Sequence, residues 1–106
     1  MSVIMTLRAS ADAQRFEQYT QEHQDELQAI GAAARDAGVI AHRFYGSDSG
    51  EIMIVDEWPD AESFQGFFQS QQDRIGPMMQ EAGVTSEPQV TFWRKLDTGD
   101  EVGWDA

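Results

Sequence analysis

The sequence predicts a single α+β domain in the order strand, helix, strand, strand, helix, strand. Three observations carry this. Four short runs show two-residue alternation or dense β-branched and aromatic content. Two longer segments repeat apolar residues every three or four positions. A turn cluster, Gly46-Ser47-Asp48-Ser49-Gly50, separates the second and third short runs and marks a hairpin.

The first strand is expected over Ser2 to Arg8, where Val3, Met5 and Leu7 alternate with Ile4 and Thr6. Ser10 or Asp12 can cap the helix that follows. That helix is expected to run from about Asp12 to Ala37, with Phe16, Tyr19, His23, Leu27, Ile30, Ala34 and Ala37 on one face. Gly31 is its weak point, and Gly38 stands where a left-handed C-terminal residue belongs. Val39 to Gly46 is the second strand and Glu51 to Trp58 the third. The Ile52-Met53-Ile54-Val55 run has no polar side, which places the third strand in the centre of the sheet. Pro59-Asp60 opens the second helix, which continues through Phe64, Phe67, Phe68, Gln71, Ile75, Met78, Met79 and Ala82 to about Gly83. Gly76-Pro77 should kink or split it, because proline lacks the amide donor. Glu87 to Leu96 is the fourth strand, with Val90, Phe92 and Arg94 on one face and Thr91, Trp93 and Lys95 on the other.

This order is the split βαβ, or ferredoxin-like, pattern, βαββαβ. Right-handed crossovers put strands one and three in the middle of a four-stranded antiparallel sheet, with the helices on one face. The other face is also apolar and needs a cover. A second copy related by a two-fold axis would supply it, giving a homodimeric α+β barrel. The domain is expected over residues 1–96. Residues 97–106 form an acidic C-terminal tail whose Trp104 is expected to dock on the partner subunit.

Composition bounds the function. The 106 residues suffice for one core. Nineteen acidic against seven basic residues give a net charge of −12, so neither nucleic acid nor an anionic membrane surface is an expected partner. There is no cysteine, hence no disulfide and no thiolate nucleophile. No signal segment and no run of membrane-spanning length is evident, so a cytoplasmic protein is expected.

The stretch Val55-Asp56-Glu57-Trp58-Pro59-Asp60-Ala61-Glu62-Ser63-Phe64 resembles the centre of antibiotic-biosynthesis-monooxygenase domains, and the element order resembles that family over about residues 2 to 96. The resemblance implies a dimeric α+β barrel with a small-molecule cavity in each subunit, between sheet and helices. It also implies an activity such as cofactor-independent oxygenation of polycyclic phenols, quinol oxidation or haem degradation. Relatives of the same fold include isomerases, cyclases and stress-induced proteins. Of the Asn, Trp and His that haem-degrading members use, only the Trp is matched, by Trp58. The chain contains no Asn, its second helix has no His, and Phe67 stands where many members carry a His.

Four residues are candidates for catalysis. Histidine is the natural acid or base near neutral pH, which singles out His42 on the second strand and His23 on the seam of the first helix. Asp56 would orient His42 if the hairpin register sets them opposite each other. A slip of one residue would put them on opposite faces. Arg43 could hold a phenolate or carboxylate, or belong to an ion-pair network. The candidate pocket residues are Trp58, Phe64, Phe67, Phe68, Tyr45, Trp93 and Arg94, around a small apolar or aromatic ligand. Met78 and Met79 could adapt its shape. No cofactor and no metal site is expected. The leading reading is a monooxygenase-like enzyme acting on a small phenol or quinol. The alternatives are a non-catalytic binding or stress-related barrel, and a structural dimer whose side chains fill its own cavity.

Overall fold

A computed structural model describes residues 1–104. The elements are β1 (Val3–Ser10), α1 (Ala13–Glu22), α2 (Gln24–Asp36), β2 (Ala41–Gly46), β3 (Glu51–Trp58), α3 (Ala61–Ser70), α4 (Gln72–Glu81) and β4 (Gln89–Trp93). The four strands form one antiparallel sheet in the order β2-β3-β1-β4. β3 and β1 are central, as the two-sided apolar pattern of β3 requires. Of the tail expected beyond residue 96, Asp105 and Ala106 lie outside the described residues. Trp104 is 88% exposed within the protomer.

Local chemistry accounts for the element ends. Asp12 caps α1 by accepting from the Arg15 amide at 2.8 Å, and Asp60 caps α3 by accepting from the Ser63 amide at 2.7 Å. Gly38 takes φ +107° just past α2. Its amide donates to the Arg35 carbonyl and the Val39 amide donates to the Ala34 carbonyl, the paired bonds of a Schellman ending. Gly46 is required for a different reason. A Cβ there would stand 2.5 Å from the Ala13 Cβ, so the hairpin could not approach α1 so closely.

The expected helix from Asp12 to Ala37 is two helices, and the break falls at His23 rather than at Gly31. In an unbroken helix the Tyr19 carbonyl would take the His23 amide. Here the His23 ring Nδ1 lies 2.7 Å from that carbonyl, and the His23 amide turns to the Thr20 carbonyl instead. The Gln24 side chain also donates to Thr20. Side chains have outcompeted the backbone for two successive acceptors. The second helix also divides, at Gln71, where the Ser70 hydroxyl donates back to the Phe67 carbonyl at 2.9 Å. Pro77 therefore sits inside α4. Gly76 before it has no Cβ to meet the proline ring, which removes part of the usual clash.

The helices cover one face of the sheet. Met5, Leu7, Ala9, Ile52, Ile54 and Trp58 point into that layer and meet Phe16, Phe64, Phe67, Ile75, Met78 and Ala82. Trp58 is wholly buried, edge-on to Phe64 with ring centres 5.7 Å apart. The opposite face carries Ile4, Thr6, Met53, Val55, Tyr45 and Trp93, and no element among the described residues covers it.

Candidate active site

The β2–β3 register decides the question the sequence left open. His42 lies opposite Asp56, and Phe44 opposite Ile54, on the helix-covered face. The His42 Nδ1 is 2.7 Å from Asp56 Oδ1. The indole Nε1 of Trp58 donates to Asp56 Oδ2 at 3.0 Å. Asp56 is 5% exposed and is the buried charged residue of the core layer. Both its oxygens are occupied, one by each donor.

The arrangement fixes the histidine. An indole N–H can only donate, and an ionised carboxylate can only accept. His42 therefore presents Nδ1–H to Asp56, and its Nε2 carries the free lone pair of the neutral ring. The imidazole side chain is 44% exposed, so Nε2 is reachable from outside the core. Phe44 meets the ring edge-on at 5.0 Å and limits its swing.

This unit borders a cavity of ≈ 630 Å³ between the sheet and the α1–α2 and α3–α4 layers. The walls are mainly apolar, with Leu27, Ile30, Phe44, Phe67, Ile75 and Met78 among them. Polar groups enter at few places: Thr20, Gln24, Gln28 and Arg35 from the helices, His42 and Asp56 from the sheet. At Gly31 an added Cβ would meet nothing within 4 Å, so the α2 wall is open there. A few convergent polar groups in an apolar cavity of this size fit a small organic ligand.

Among the residues singled out from sequence, the structure brings His42, Asp56, Phe67 and Phe68 to this cavity. Trp58 supports it from behind through Asp56. Phe64 lines a second recess of ≈ 460 Å³ together with Phe68, Val90 and Phe92, beside β4. His23 stays at the α1–α2 junction, stacked on Tyr19 with ring centres 3.9 Å apart. Arg43, Tyr45 and Trp93 fall on the uncovered face, because neighbours along a strand alternate sides. There the Arg43 guanidinium donates to the Tyr45 hydroxyl at 3.2 Å, and the Trp93 indole donates to Thr6 Oγ1 at 2.9 Å. Arg94 lies beyond the end of β4 and is exposed. Arg35, Gln24, Gln28 and Thr20 were not read as site residues. Gln24, Gln28, Gly31 and Arg35 do form a stripe at helical spacing beside the apolar one, and that stripe was the available signal.

A second polar cluster joins α1 to α4. The Tyr19 hydroxyl donates to Glu81 Oε2 at 2.9 Å. Burial, then that bond and the nearby charge of Glu26, push the Tyr19 phenol up to about 12. No group of three or more side chains suited to a metal ion forms among the described residues.

Comparison with solved structures places the architecture. An antibiotic biosynthesis monooxygenase superposes with a TM-score of 0.63 over 90% of this chain and 99% of its own, at 9% identity. The cofactor-independent oxygenase SnoaB of Streptomyces nogalater gives 0.62 over 94% and 98%, at 12% identity. The chain shares the fold of these two proteins. A dimeric ferredoxin-like protein from an uncultured marine organism shares it, with a TM-score of 0.65 over 91% and 89% at 13% identity. No family model and no curated relative matches the sequence. The cavity lies against the β2–β3 hairpin, which brings His42 and Asp56 to its wall. No helix among the described residues is long and apolar enough to cross a membrane.

Proposed function

We propose that the protein is a cofactor-independent monooxygenase-like enzyme acting on a small phenol or quinol. The observation that carries this is the oriented His42–Asp56 pair at the wall of an apolar cavity. Such a pair removes a proton from a bound phenol. His42 Nε2 takes the hydroxyl proton, and Asp56 stabilises the imidazolium that results. The phenolate then gives electrons to dioxygen from its ring. One oxygen atom stays on the carbon that loses its hydrogen, giving a quinone. The other leaves as water with the two substrate hydrogens. The apolar walls favour the flat ring and keep bulk water from the phenolate. That SnoaB, which shares the fold, is a cofactor-independent oxygenase supports the oxygenase reading.

The working form is proposed to be a homodimer. Ile4, Met53, Val55, Tyr45 and Trp93 make the uncovered sheet face apolar, and a second copy would bury it. The dimeric marine protein of the same fold supports this. The tail from residue 97 would then have a partner surface for Trp104.

The test is a thermal-shift panel of quinols and polycyclic phenols, with oxygen consumption followed for each compound that stabilises the protein. Stabilisation with oxygen uptake supports the enzyme. Stabilisation without uptake by any compound moves the function to ligand binding alone, the reading that Phe67 in place of a family histidine favours.

A further inference from the structure

We propose that Arg35 makes the cavity selective for aromatic ligands that carry a carboxylate or another fixed anion. The inference rests on the cavity being a ligand site, as in the reading above, and adds the ligand's charge. Among the described residues that line the cavity, Arg35 is the one fixed cation. The chain as a whole carries −12 and repels anions, so a cation on this wall changes what the cavity accepts. Among the described residues Arg35 joins no ion pair; those present use Arg8, His42 and Lys95. The carboxylate of the cavity, Asp56, does not compete for it, because its oxygens are held by His42 and Trp58.

Position supports the assignment. Arg35 is exposed in the last turn of α2, at the rim. Gly31, one turn earlier, leaves the wall open, at a rise of about 6 Å along the helix. Gln28 stands on the far side of that opening. A flat ring lying over Gly31 has the guanidinium at one side and the His42 face of the sheet across from it. A guanidinium offers a planar fork of donors that fits a carboxylate in a bidentate way. Arg35 also sits where a cation favours a helix C-terminus, and a lysine there would keep that effect while losing the fork.

The experiment compares two probes of the same ring, 1-naphthol and 1-hydroxy-2-naphthoate, by isothermal titration on the full chain. The wild type is expected to bind the naphthoate about ten-fold tighter or more, with a preference that falls as salt rises. In Arg35→Gln the ratio of naphthoate to naphthol affinity falls to about one, and Arg35→Lys recovers part of the preference. Equal binding of the two probes by the wild type, or a preference that survives in Arg35→Gln, overturns the inference and leaves the cavity reading standing. Failure of both probes to bind overturns the inference together with the cavity reading. Circular dichroism melts confirm that each variant is folded, and a folded variant is the only one scored.

Discussion

Replacing Asp56 by Asn separates stability from function. The amide is nearly the size of the carboxylate, so no cavity opens. Its carbonyl must face Trp58, because the indole can only donate. The amide nitrogen then faces His42 Nδ1 and donates to it. The imidazole proton is forced onto Nε2, and the lone pair that faces the ligand is gone. Two charge-assisted hydrogen bonds become neutral ones, at a cost of about 1 kcal/mol each for a buried pair. The His42 side is half open to solvent, so the total is about 1–2 kcal/mol, or a fall in Tm of roughly 5–12 °C for a domain of this size. Loss of an oriented general base should lower turnover by about 10²- to 10⁴-fold. Nitrogen-15 NMR of the imidazole reads the tautomer directly, at a pH where the ring is neutral. Retention of Nδ1–H in Asp56→Asn, or unchanged turnover, would refute the reasoning. Asp56→Ala makes the contrast: the Trp58 N–H is left buried without an acceptor, adding about 1–3 kcal/mol of destabilisation.

Other perturbations have equally definite outcomes. Trp58→Phe leaves the buried Asp56 Oδ2 without its donor and should destabilise by about 2–4 kcal/mol in urea titrations, with His42 still bonded to Asp56. Gly46→Ala drives a methyl group into Ala13 and should cost about 1–3 kcal/mol. Ala13→Gly in the same chain should recover much of that cost, and a double variant no more stable than Gly46→Ala would show that the contact is not the cause. In a Tyr45→Phe background the phenolate absorbance of Tyr19 should rise near pH 12, and Glu81→Gln should bring it lower. The sign for stability follows: the folded state holds the Tyr19 proton more tightly than the unfolded chain, so this contribution is complete below pH 10 and is lost as pH climbs through about 12. Thermal melts across that range, compared with Tyr19→Phe, check it.

The strands were legible because they obey local rules. Glu51–Trp58 is bounded by a glycine turn on one side and proline on the other, and its two-sided apolar content marks a central strand. Asp60 and Gly38 announce a helix start and a helix end through side-chain chemistry that tertiary packing does not alter. The helix breaks were less legible. At His23 the outcome depends on a ring rotamer that captures the Tyr19 carbonyl, which periodicity does not encode. The His42–Asp56 pair was half legible: both residues were identified, but their facing depends on a one-residue register that the turn fixes. Arg43, a candidate for catalysis, and Tyr45, a candidate for the pocket, are set by strand alternation across the sheet from His42 and Phe44. The choice between faces needed the helices in place. Gln24, Gln28 and Arg35 were passed over because a polar stripe on an amphipathic helix ordinarily faces water. Here the space over Gly31 and the helix break turn that stripe along the cavity rim.

The central claim is that His42 acts as the base on a ligand held in this cavity. Oxygen consumption with a phenol or quinol that stabilises the protein, compared between wild type and His42→Ala at matched ligand saturation, tests it most directly. The expected result is uptake by the wild type and a loss of about 10²- to 10⁴-fold in His42→Ala with binding retained. Uptake that is undiminished in His42→Ala would contradict it.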